Sequence, residues 1–213
     1  MSRNPKLPSK WLIVGAMMVF LGSAFISIYI NSYVFNYGLH LNESISHYVG
    51  LELWSAIFFT LANIFVAIFV ANYLWKLGQA WHMPKIFYWL IVVLAVSLMG
   101  LSFFPSDFYQ DGSGNPSIVT WVHILTSRAM FIAMMLIAAL IIMCRRASTL
   151  AHVLNVLFLM YAVACIMGFM TEADWFMHHV MILETLYLAG FMTVLAACDE
   201  KREHLSDLHT EEW

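Results

Sequence analysis

Six long apolar runs divide the chain, at about 11–36, 49–75, 86–104, 118–144, 150–171 and 175–198. About 20 apolar residues carry a helix across a bilayer, so each run is long enough to be a span. The runs are continuous rather than alternating, which excludes the strands of a membrane β-barrel. The polar intervals between them are short, and short connections make consecutive helices antiparallel neighbours. The interval at 105–117 is rich in Gly, Pro, Ser and Asp and reads as a turn-rich loop. The pattern predicts an all-α polytopic membrane protein, a six-transmembrane-helix bundle. It forms a single domain over 1–198, followed by a short charged tail at 199–213.

Composition agrees. The 213 residues are 62% apolar and only 11% charged, with mean hydropathy +0.78. Soluble domains carry about 25% charged residues, so no soluble domain is expected here. The placement of the basic residues sets the orientation. Arg3, Lys6 and Lys10 precede the first run, and Lys76 and Lys85 flank the second interval. Arg145 and Arg146 fall in the fourth, and Lys201 and Arg202 follow the last run. The other intervals contain no Lys or Arg. By the positive-inside rule both termini are cytoplasmic, in a cell inner (cytoplasmic) membrane. The first run has the basic start of a signal peptide but is too long, and no small-residue cleavage pattern follows it. It reads as an uncleaved helix. Trp11, Trp75, Trp81, Trp89, Trp121 and Trp175 gather near span ends as an aromatic belt. Cys144, Cys165 and Cys198 have neither disulfide nor thiolate-metal spacing. No basic stripe points to nucleic acid, and membrane lipids are the expected surroundings.

One basic residue breaks the exclusion of charge from the spans. Arg128 lies about ten residues into the fourth run, and an intramembrane ionisable residue is a functional-site hypothesis by default. Glu184 lies at a similar distance into the sixth run. At 1.5 Å per residue both fall roughly 13–15 Å below the outer boundary. Two readings follow, a structural Arg128–Glu184 ion pair or a charged pocket opening outward. Either predicts contact between the two side chains, with Asn31, Asn63 and Ser127 as further polar partners. A histidine precedes a charge by five residues at the start of three spans: His47 and Glu52, His123 and Arg128, His179 and Glu184. His123, His178, His179, Glu52 and Asp107 join the candidates for an outer ligand-binding constellation. Histidine and carboxylate together can hold zinc with an open water position, so His123, His178 and His179 form the alternative metal set. No HExxH-type motif supports it. Axial haem ligation by His123 and His178 has no further support. No cofactor is assigned.

Asn42 to Gly50 lead into the second run, Phe104-Pro105-Ser106-Asp107 end the third, and His123 opens the fourth. In these the chain resembles the six-helix prokaryotic membrane family catalogued as domain of unknown function 998. It is also similar in layout to FRAG/DRAM-like membrane proteins. The resemblance implies Ser46, Pro105, Asp107 and His123 as family positions and implies no activity. A looser likeness is to membrane hydrolases that gather Ser, Asp and His around a metal, here Ser44 or Ser46, His47, Asp107 and His178 or His179. Those usually have seven helices. The leading expectation is an outward-facing polar pocket for a small or amphiphilic ligand. The alternatives are a metal-assisted intramembrane hydrolase and a structural or partner-binding subunit. Ligand identity and oligomeric state are not encoded in any motif.

Overall fold

A computed structural model describes residues 10–41, 43–104, 118–144 and 147–198, with the backbone alone for His47. Asp107, Arg145, Arg146 and the 199–213 tail lie outside the described residues. Helix α1 (Lys10–Tyr29) runs on into a π-helical turn, Ile30–Val34. It is followed by α2 (Ile45–Gly50), α3 (Leu53–Trp81), α4 (Lys85–Phe103), α5 (Ile118–Met143), α6 (Thr149–Met170), α7 (Asp174–Met177) and α8 (Val180–Cys198). Among the described residues there is no strand. Helices α1 with its π turn, α3, α4, α5, α6 and α8 are each long and apolar enough to cross a membrane. The chain is a multi-pass helical membrane bundle.

The six long helices form a closed ring. Each packs on its neighbour in the chain, and α8 returns to α1. Ile13, Phe87, Ile137, Phe191 and Leu195 face inward and are fully buried. Trp11, Phe25, Leu61, Ile68 and Met160 face outward and are exposed, as expected of side chains meeting lipid. Lipid tails are as apolar as the helix faces, so burial alone does not drive helix association; close packing and interhelical hydrogen bonds do. Tyr73 Oη donates to Leu195 O at 2.8 Å, Tyr161 Oη to Leu183 O at 2.8 Å and Thr60 Oγ1 to Ser102 O at 2.8 Å. Gly100 lets α4 and α5 approach; a Cβ there would meet Thr126 Cγ2 at 2.6 Å. A Cβ at Gly15 or Gly22 would meet nothing within 4 Å.

The tight α5–α6 connection is tied from both sides. Ser148 Oγ accepts from Ala151 N at 3.1 Å, capping α6. His152 Nε2 and Nδ1 face Ile142 O and Ser148 O at 3.1 and 2.9 Å.

Two runs depart from the sequence reading, both at the end of the ring away from the chain termini, here called the distal end. The second run begins as a separate short helix, α2, and breaks at Leu51 and Glu52 before α3 starts. The sixth divides into α7 and α8 around His178 and His179. Between α6 and α7, Glu172 takes a positive φ of 48° and the chain doubles back. This brings Trp175 and Phe176 against Gly168, where a Cβ would meet Trp175 Cζ2 at 2.6 Å.

Candidate functional site

The distal half of the ring encloses a cavity of about 60 Å³, walled by α1, α3, α4, α5 and α8. That volume holds a few waters or a small polar group. Helix α2 folds back from its loop and closes the cavity. Its Ile45, Tyr48 and Val49 turn inward and are buried. Polar groups on three spans hold it there. Asn31 Nδ2, on the π turn of α1, donates to Tyr48 O and to Ser55 Oγ, the latter at 3.1 Å. Ser55 Oγ, on α3, lies 2.9 Å from Val49 O. Glu184 Oε2, on α8, accepts from Ile45 N at 3.0 Å. Loop and α8 also meet directly, through Met181 N and Leu41 O at 3.2 Å.

His123 is buried on α5 and joins three elements. Its Nδ1 lies 2.8 Å from Phe104 O at the end of α4, and its Nε2 lies 3.1 Å from Ser46 Oγ on α2. A carbonyl oxygen only accepts, so Nδ1 carries the proton. In the neutral ring Nε2 is then the acceptor, and Ser46 Oγ–H donates to it. Ser44 Oγ, 2.8 Å from Ser46 Oγ, completes the chain as donor to Ser46. Asn63, on α3, lines the same cavity with its Oδ1 buried and without a hydrogen-bond partner. Ser102, Ser127 and Glu184 add polar lining, and Phe20, Phe59 and Leu188 lie among the apolar lining.

The candidates separate. His123 and Glu184 border the cavity. Arg128 does not: it is exposed on the outside of the ring, its guanidinium 5.9 Å from the Phe169 ring centroid near the distal end of α6. Helix side chains tilt toward the helix N-terminus, which for α5 is the distal end, so the long Arg128 stem carries its charge toward the membrane boundary. The expected Arg128–Glu184 contact is therefore corrected. The break at α7 is one cause, since Glu184 lies only four residues into α8, about 6 Å along it, and Arg128 ten residues into α5, about 15 Å. Glu184 satisfies itself on the α2 backbone instead.

Glu52 is half-buried at the start of α3 and accepts from Tyr37 Oη at 2.8 Å, away from the cavity lining. His178 and His179 are exposed, each with Nδ1 against a carbonyl one turn back, Asp174 O at 2.7 Å and Trp175 O at 2.9 Å. Among the described residues no three His, Cys, Asp or Glu side chains gather into a metal site, so His123, His178 and His179 do not form one set.

Sequence reasoning placed no helix in the first loop. The signal was present: Ile45, Tyr48 and Val49 stand at i, i+3 and i+4, the spacing of one apolar helix face. Ser46 entered only through the family resemblance, and Ser102 not at all. No family model, no curated protein and no solved structure matches the chain.

Proposed function

We propose that this is a cytoplasmic-membrane protein whose distal cavity faces outward and holds the polar group of a small amphiphile. The cavity beneath α2 carries the reading, because Asn63 Oδ1 is buried there without a partner. An orphaned buried acceptor costs about 1–3 kcal/mol, a loss that a bound hydroxyl, amide or water would recover. The mixed lining suits a polar head joined to an apolar chain, and such a ligand reaches the site from the surrounding lipid. The outward direction rests on the basic residues at the opposite end. The likeness to the domain-of-unknown-function-998 family is part of the same proposal. It draws support from Ser46 and His123, two positions it implies, meeting at this cavity.

Native mass spectrometry of the detergent-purified protein with 1-O-oleyl glycerol, an amphiphile joined by an ether and not an ester, tests the reading. One oleyl glycerol per chain is expected on the wild type. Ser127→Phe, which fills the cavity from α5, is expected to abolish it without lowering the melting temperature. Equal binding by Ser127→Phe would sink the pocket.

A further inference from the structure

We propose that Ser46 is a nucleophile activated by His123, and that the cavity ligand is an ester or thioester of an apolar acyl chain. This rests on the pocket reading above and adds a reaction to it. Three observations meet here. Ser46 Oγ lies 3.1 Å from His123 Nε2, within the reach a nucleophile and its base require. Phe104 O, 2.8 Å from Nδ1, fixes the tautomer that leaves Nε2 free to accept a proton. Both side chains line a cavity that Asn63 also lines. A structural hydrogen bond holding α2 needs neither the cavity nor the orphaned amide.

In the step, Ser46 Oγ attacks the acyl carbonyl carbon and its proton passes to His123 Nε2. The new Oγ–C bond forms as the carbonyl π pair moves onto oxygen. Collapse of this intermediate breaks the bond to the leaving alcohol or thiol, which takes the proton from His123. Water then attacks the acyl-Ser46 ester by the same route and releases the carboxylic acid. Glu184 borders the same cavity.

The test is covalent labelling of the full-length purified protein with a long-chain alkyl fluorophosphonate, mapped by peptide mass spectrometry. In that reaction Ser46 Oγ displaces fluoride from phosphorus and His123 takes the proton. Label is expected on Ser46 and not on Ser44 or Ser127, which share the site and serve as internal controls. General-base assistance contributes roughly 10²–10⁴-fold, so His123→Asn is expected to slow labelling about 100-fold. If His123→Asn does not fold, selectivity for Ser46 over Ser44 and Ser127 in the wild type decides alone. Absence of label on Ser46, or equal labelling of the three serines, overturns the proposal. A folded His123→Asn that labels as fast as wild type does so too. Oleyl glycerol binding to Ser46→Ala separates the two readings: retained binding with no labelling of the wild type rejects the nucleophile and leaves the pocket standing, and loss of both rejects both.

Discussion

His123 and Arg128 are five residues apart on α5, about 140° around the helix, and this angle decides what each can do. One points into the ring and is held by Phe104 O and Ser46. The other points out, over the ring of Phe169. A rare charge in an apolar run was a sound reason to look at this helix, but the informative residue is the neutral ring beside it. Glu184 likewise owes its place to one backbone N–H, that of Ile45. A double-mutant cycle of Arg128→Ala and Glu184→Ala is expected to be additive within about 0.5 kcal/mol, as for residues without shared partners. Glu184→Leu, which orphans the Ile45 N–H, is expected to lower stability by about 1–3 kcal/mol, and Glu184→Gln, which keeps an acceptor, by less. Thermal unfolding in lipid nanodiscs measures all of these. A coupling above 1 kcal/mol would restore the ion pair.

At the scale of elements, α2 is the part that turns a ring of helices into a site. Six residues are far too few to be a stable helix alone; α2 persists because α1, α3 and α8 each supply a polar contact beneath it. Asn31→Leu removes the donor to Tyr48 O and Ser55 Oγ. It is expected to speed amide hydrogen exchange across 45–50 by at least tenfold while leaving α4 and α5 unchanged. Unchanged exchange would mean that apolar burial alone seats α2. The same element explains what the sequence revealed and what it hid. The six spans were legible because each needs only length and apolarity, and His123 and Glu184 were legible because polar groups are costly in lipid. The breaks at Glu52 and around His178 were not, since α2 and α7 border the next span and merge with it in any hydropathy pattern. Partner choice was hidden for a related reason. Glu184 could satisfy itself on Arg128 or on a backbone N–H, and only the return of α2 into the ring brings Ile45 within 3.0 Å.

For the whole molecule, closure of α8 onto α1 gives a ring with two unlike ends. The end bearing the described Lys10, Lys76 and Lys85 has its connections drawn tight: α3 turns into α4 through three residues after Trp81, and α5 into α6 through a hydrogen-bonded turn. The distal end carries α2, α7 and the cavity. The asymmetry of charge and that of structure point the same way. Lys and Arg resist transfer across the membrane, and on the orientation proposed above the tight end lies in the cytoplasm and the distal end with its cavity outside. In that orientation the proposed amphiphile, and the water that hydrolysis of an acyl-serine requires, would come from the outer side. Reporter fusions placed after Trp75, Arg146 and Cys198 are expected to report the cytoplasm, and fusions within 107–115 the outside. Alkaline phosphatase, active only when exported, and a green fluorescent protein, fluorescent only when retained, give opposite signals at each site. An exported signal at Arg146 would invert the molecule. The cavity would then face the cytoplasm, and an amphiphile of the inner leaflet would replace that of the outer one as its ligand.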